Sequence, residues 1–374
     1  MFMNIEEIME ECVKCNASDI LLVPGSPVSF QVNGFLRTYI EFIPDDEVAA
    51  LVKEVYRKAS RDVENLMSGK KDDDFIVQLN EKVRFRVNAF RTLGNPAAVL
   101  RCVQDNMLET ISQSIPEKII KYSELSSGLI LISGSPGSGK TTTAAAMLEH
   151  NNRNHKKHII TLEDPVEYRM KADKCVISQR DIYTDVADYE TAIASCLRER
   201  PNIIFIGELR GQKATEAALK AAESGMLVIA TLHTKGATDT LSRILQNFPA
   251  NHAESVSMQL ANTLRVIIYQ KLIDRIGEHG TVVFETVENI TAISNLIRDR
   301  KIRQLKNVQH SNPDLLPCSM EAKLLYAYRD GKFSREVVTE YADPEYRSWS
   351  ETQMKVIDML RNSGKADEYR IGQA

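Results

Sequence analysis

The chain has 374 residues, 43% of them hydrophobic and 26% charged, with 47 basic and 51 acidic residues for a formal charge of −4. That length predicts two domains or three, with enough apolar residues for real cores, and the near balance of charge gives no support to a general affinity for nucleic acid or for a membrane surface, local patches aside. The longest apolar runs, 128–133 and 203–206, have strand length and are far too short to span a bilayer. The first eleven residues hold four glutamates and no basic cluster, which predicts no secretory signal and a cytoplasmic chain.

"NIEEIMEECVKC" has helical periodicity. Cys12 and Cys15 within it form a lone C-x-x-C without a second pair or a nearby histidine, too few ligands for zinc, and read as two small residues on one helix face. "SDILLV" and "VSFQVNGFLRTYI" read as strands, the second folded at a tight Asn33-Gly34 turn. "DDEVAALVKEVYRKA" predicts an amphipathic helix starting at Asp45 or Asp46. "DFIVQL", "KVRFRVNAFR" and "AAVLRCV" are three more strands, joined at Asn80-Glu81 and Gly94-Asn95-Pro96. Residues 1–103 are thus expected to form a small antiparallel sheet with helices on one face.

Polar residues and Pro116 mark 104–124 as a linker. From Leu125 strands and helices alternate ("GLILIS", "TTTAAAMLEH", "HIITLE", "YETAIASCLRE", "NIIFIGE", "ATEAALKAAESG", "LVIATLH"), which predicts a parallel sheet with helices on both faces over 125–275. Beyond residue 250 the chain reads as mainly helical with "TVVFETVE" as the one further strand, giving a helical subdomain at 276–347 and a charged, fraying tail at 348–374.

"GLILISGSPGSGKTTT" contains G-x-x-x-x-G-K-T between an apolar strand and a helix-forming run, the context that a phosphate-binding loop requires. Gly134, Ser135, Pro136, Gly137, Ser138 and Gly139 would turn successive backbone N–H groups toward phosphates. Lys140 would reach the β- and γ-phosphates, Thr141 would ligate Mg²⁺, and Thr142 completes the helix start. A P-loop alone does not distinguish ATPase, GTPase and kinase; no [NT]-K-x-D follows to read guanine, which weakens the GTPase reading. "NIIFIGE" ends an apolar strand on Glu208, where a carboxylate can hold the water shell of Mg²⁺ or polarise the attacking water. "HIITLEDPVEY" ends on Glu163 and Asp164, and a solvated strand end or helix cap accounts for these two alone as well as a catalytic base does. "LVIATLHTKGATDTL" runs a strand into His233 between two threonines, a pattern that by itself fits a structural histidine.

Together these stretches resemble the hexameric secretion ATPases that drive type II secretion, type IV pili and type IV secretion, over about residues 1–345. "GSPGSGKTTT" looks like the family's Walker A motif, "ITLEDPVEY" like its Asp box, "IIFIGELR" like its Walker B motif and "AAESGMLVIATLHT" like its His box. "ISQRDI" and "TAIASCLRERPNIIFIGELR" match the block between Asp box and Walker B, and "ASDILLVPGSPVSFQVNG" with "RFRVNAFR" is similar to the first domain. "YQKLIDRIGEHGTVVFETVEN" lacks the tetracysteine zinc module of the assembly branch, and "AISNLIRDRKIRQL" resembles the C-terminal helix motif of PilT-like retraction ATPases.

The resemblance implies an α/β fold, with an N-terminal PAS-like α+β domain, a RecA-like P-loop ATPase core and a C-terminal helical region. It implies a cytoplasmic homo-hexamer that hydrolyses ATP with Mg²⁺ and works against a pilus or secretion platform protein at the inner face of the membrane, with no zinc and no nucleic acid. Glu163 would activate water, Thr141 and Glu208 would hold Mg²⁺, His233 would sense the γ-phosphate, and Arg210 would join the nucleotide contacts. Arg86, Arg91 or Arg101 would supply positive charge to the transition state, or else would only solvate a sheet face. Closing the first domain onto the core would be the power stroke. Departures from the pattern fall at Arg200, Asn202, Gly211, Met226 and Ser294. They leave open an effector-secretion or conjugation motor, or an ATP-binding ring of low turnover.

Overall fold

A computed structural model describes residues 4–32, 34–68, 72–104, 115–182, 185–275, 278–363, 365–366 and 369–372. Asn33 of the expected tight turn and residues 105–114 of the expected linker lie outside them. The described residues form two compact units, the first comprising the N-terminal part through residue 104 together with Glu167–Arg169.

The first unit is a six-stranded antiparallel sheet with helices. Helix α1 (Ile5–Lys14) starts where the Asn4 side chain accepts from Glu6 N, and it buries Ile5, Ile8, Met9 and Cys12, one stripe at helical spacing. Cys12 is buried and Cys15 exposed. Strands β1 (Asp19–Leu22), β2 (Val28–Val32) and β3 (Phe35–Ile40) lead to α2 (Asp45–Lys58) and the single turn α3 (Glu64–Met67). Then follow β4 (Asp73–Asn80), β5 (Val83–Thr92) and β6 (Asn95–Gln104), the β5–β6 turn being made by Leu93 and Gly94, both at positive φ. The sheet order is β3-β2-β1-β6-β5-β4. Alternate residues Phe75, Val77, Phe85 and Val87 pack with α1 and α2 in one core, which is the period-2 pattern that "DFIVQL" and "KVRFRVNAFR" display.

The second unit opens with the short helix α4 (Glu117–Lys121) and a 3₁₀ turn (Tyr122–Glu124). Then β7 (Gly128–Ser133), α5 (Lys140–Asn154), β8 (His158–Glu163), β9 (Val176–Asp181), α6 (Tyr189–Glu199), β10 (Ile203–Ile206), α7 (Gly211–Glu223), β11 (Leu227–Leu232), α8 (Ala237–Gln246) and α9 (Ala253–Thr263) follow. The strands β7, β11, β10, β8 and β9 are parallel. α5 packs in the core on one face, and α6 to α9 pack in the core on the other. Every residue of β7, β10 and β11 is buried, as a sheet covered on both faces requires.

Beyond residue 250 the expected helical run is corrected by a second strand. Leu264–Arg275 is β12, parallel to β7, and Glu278–Glu288 is β13, antiparallel to β12 and at the sheet edge. The Val266–Ile268 run is strand-like, and its covering by β7 outweighed the helical reading. The expected division at 275/276 therefore falls inside this β12–β13 hairpin. Helices α10 (Thr291–Arg298), α11 (Leu305–Ser311), α12 (Met320–Arg329) and α13 (Arg335–Tyr341) complete the unit with α14 (Arg347–Asn362). The tail expected to fray is α14 up to Asn362, anchored because Met354 and Ile357 enter a core with Met320, Leu324 and Leu325 of α12.

Glu285 of β13 is buried beneath this helical layer (4% exposed). Burial, aided by the nearby Glu321 carboxylate and opposed by Lys306, pushes its carboxyl up to about 7. Between the ordinary carboxylate range and that value the folded chain holds a proton that the unfolded chain releases, so stability is full at acid pH and declines as pH rises through that window. Glu285→Gln is expected to flatten this decline and to stabilise the chain at pH 8 by on the order of 3 kcal/mol. Urea midpoints measured from pH 4 to 8 check it, and an unchanged slope would remove Glu285 as the source.

Candidate nucleotide site

β7 ends at Ser133, and the chain turns through Gly134 into a loop whose last residue, Gly139, caps α5 at φ 85°. A Cβ on Gly134 would stand 2.4 Å from the Gln270 carbonyl oxygen and 2.5 Å from Ser138 Oγ. The loop is thus wedged against β12, and Gln270 Nε2 donates to Ser138 O at 2.5 Å from the same strand. Ser135, Pro136 and Gly137 form the exposed rim, Ser138 is buried, and Thr141 and Thr142 are half-buried in the first turn of α5. Gly134→Ala is expected to displace the loop, to cost about 1–3 kcal/mol of stability and to lower nucleotide affinity. Paired unfolding and nucleotide-titration curves measure both.

Lys140 is 6% exposed. Its Nζ donates to Gly134 O at 3.0 Å and Ser135 O at 2.8 Å, and stands 3.1 Å from His233 Nδ1. The register explains the meeting: Leu232 of β11 lies opposite Ser133 of β7, so the residues that leave these adjacent strands emerge side by side. His233 is held there by its neighbours. Thr231 donates to Gly207 O at 2.5 Å, Leu209 N donates to Thr231 O at 2.9 Å, and Thr234 and Thr240 share a hydrogen bond of 2.7 Å. The two threonines are therefore structural, and the histidine between them faces the loop. Burial, with Lys140 second, holds the His233 imidazole below its ordinary range, so it is neutral at pH 7 and its Nδ1 accepts from Lys140.

On the other side of His233, its Nε2 is 3.6 Å from Glu208 Oε2, and Glu208 Oε1 receives Arg210 Nε at 2.5 Å. Lys140, His233, Glu208 and Arg210 thus form one continuous line. Glu163 ends β8 and is 4% exposed. Gly207 N donates to Leu162 O at 2.7 Å, and a Cβ on Gly207 would be 3.2 Å from Glu163 Cα, so the glycine lets the ends of β8 and β10 close together. Burial, together with the negative charge of Asp164, Glu208 and Glu163, pushes the Tyr189 phenol up.

The structure therefore brings together Gly134–Thr141, Glu163, Glu208, Arg210 and His233 within the second unit. Arg86, Arg91 and Arg101 belong to the first. Arg86 lies opposite Arg101 in the β5–β6 register, Arg101 Nε bonds Asp19 Oδ1 at 3.0 Å, and Arg91 donates to the carbonyls of Met67 and Gly94. Gln270 and Gly207 were missed by sequence reasoning. A glutamine inside the apolar run "VIIYQKLI" was the available signal for Gln270.

The departures also acquire locations. Met226 precedes β11, at the end opposite His233, and packs in the core. Six strand residues span about 20 Å, so a histidine at 226 would not have shared the loop with His233. Asn202 accepts from His158 N at 2.8 Å, and its carbonyl receives Leu227 N at 3.0 Å, stitching β8 to β11 across β10. Ser294 donates to Ala261 O at 3.2 Å.

A P-loop with positive-φ glycines, a buried lysine, a hydroxyl in the first helical turn and two acids fits a nucleotide polyphosphate and a hard divalent cation. Comparison with known proteins agrees on the nucleotide. The family described as "Type II/IV secretion system protein" matches residues 2–315. The chain is 34% identical over 342 residues to the type IV pilus retraction ATPase PilT of Pseudomonas aeruginosa, covering 91% of this chain and 98% of that one. It is 37% identical over 270 residues to a twitching motility protein of Neisseria gonorrhoeae, covering 72% of each. The crystal structure of the pilus retraction motor PilT with bound ADP superposes with a TM-score of 0.81 at 34% identity, covering 92% of this chain and 98% of that chain.

Proposed function

We propose, on the premise that this chain belongs to the type II/IV secretion system protein family, that it is the motor which retracts type IV pili. The chain is an ATP-hydrolysing enzyme of that family. The observation that carries the pilus assignment is its match to a retraction ATPase over 98% of that protein's length.

In the proposed reaction Lys140 and the loop amides bind the β- and γ-phosphates of ATP. Thr141 and Glu208 are the residues that would hold Mg²⁺, which would neutralise phosphate charge. Glu163 orients and deprotonates the attacking water. A transition state with charge spread over three equatorial oxygens calls for cations, and Arg86, Arg91 and Arg101 are the first unit's candidates. His233, in line between Lys140 and Glu208, would report loss of the γ-phosphate. The motor is proposed to work as a homo-hexamer on a platform protein at the inner face of the membrane. No described helix is long and apolar enough to cross a membrane, so attachment would run through that partner.

Deletion of the gene is expected to leave pili assembled but unretracted. The wild-type gene should restore retraction, scored by surface motility and by force on tethered pili, and Lys140→Ala should not. Retraction that survives deletion while protein secretion or DNA transfer is lost would replace this reading with a secretion motor.

A further inference from the structure

At the far end of α5 from the phosphate loop, three metal-ligating side chains converge. Glu124 closes the 3₁₀ turn before β7, His150 lies in the last turns of α5, and His155 caps that helix. Glu124 Oε1 is 2.7 Å from His150 Nε2 and 3.5 Å from His155 Nε2, and the three ligand atoms lie within 4.8 Å of one another. His155 Nε2 is buried, and among the described residues it has no hydrogen-bond partner.

The scaffold is rigid. Asn151, fully buried between the two histidines in sequence, donates to Ser123 O at 3.0 Å and to Ser123 Oγ at 2.7 Å, tying the turn that carries Glu124 to the helix that carries His150. Cys175 Sγ donates to His155 O at 3.1 Å and fixes the cap. None of these residues belongs to the nucleotide site.

We propose that Glu124, His150 and His155 form a binding site for a borderline divalent transition metal of the zinc class, with water as the fourth ligand. Two imidazoles and a carboxylate are a zinc donor set, and bonds of about 2.0–2.1 Å to a tetrahedral ion separate ligand atoms by ~3.3 Å. The His155–Glu124 separation of 3.5 Å is already close to this, and the His150–Glu124 pair opens from 2.7 Å by about 0.6 Å. Asn154 Nδ2 stands 3.2 Å from His150 Nδ1, which places the ring proton on Nε2. Ligation through Nε2 moves that proton to Nδ1 and turns Asn154 away. This set differs from the four-cysteine module whose absence led the sequence to predict no zinc. The metal would clamp the two ends of the strand, loop and helix that carry the phosphate loop.

The test uses the full chain, chelator-stripped and nucleotide-free, titrated with Co²⁺ while its visible absorption is recorded, and then with Zn²⁺ in competition. One saturable equivalent per chain is expected, with the absorption of a four-coordinate ion. His150→Ala, His155→Ala and Glu124→Gln should each weaken binding by at least about 10-fold, the lower end of what even an outer-shell partner contributes. These ligands are at least a quarter exposed, and unchanged ATP turnover in Mg²⁺ serves as the check that the variants fold. Zn²⁺ should raise the melting temperature of the wild type and not that of the double histidine variant. Absence of saturable binding, wild-type affinity in His155→Ala, or binding that is lost instead in Thr141→Ala would overturn the assignment.

Discussion

Glu163→Gln is expected to bind ATP with near wild-type affinity while kcat falls by about 10²–10⁴-fold, the usual contribution of a positioned general base. Gln keeps the volume and one acceptor of the side chain and removes its charge and basicity. The carboxylate ends β8, is almost wholly buried, and its backbone is closed upon by Gly207, the residue before Glu208. A solvated strand end would not show that burial. Nucleotide binding followed by fluorescence and phosphate release measured on the same preparation separate the two parameters. Normal release by the variant would take the base role from Glu163 and return it to Glu208 or Asp164.

Lys140→Ala should lower kcat/KM by on the order of 10³-fold. The ammonium is fixed at three points, Gly134 O, Ser135 O and His233 Nδ1, so its position relative to the loop is set before any phosphate arrives. The same substitution has a second readout. Lys140 is the largest cause after burial that holds the His233 imidazole down, so in the variant His233 should titrate at a higher pH, visible in the chemical shift of its ring protons. An unshifted histidine together with lost activity would point to a misfolded loop and not to a lost cation.

How much of this was written in local sequence depends on how far away each partner lies. The loop from Gly134 to Thr141 declares itself because glycines, lysine and hydroxyl act within eight residues of one another. Glu163 and Glu208 were legible as acids that end apolar runs, and parallel pairing then carries both to one edge. Gln270 and Gly207 were not legible, since their purpose lies in Ser138, 132 residues away, and in the backbone of Glu163. β12 was hidden because it was read among helices, and only pairing with β7 decides it. α14 was hidden because its buried stripe is narrow, Met354 and Ile357 with Ser350 and Gln353, between charged flanks. The roles of Thr231 and Thr234 needed the structure to divide them from His233.

The three contacts of Lys140 carry one more consequence. An ammonium has three protons, and all three are already directed at acceptors of the protein itself. A phosphate oxygen is therefore taken up by exchange, with the loop carbonyls or His233 giving way. The exchange is reversible in the same steps, so in the proposed cycle these acceptors, about 3 Å away, would compete with the product for the lysine once the γ-phosphate has left.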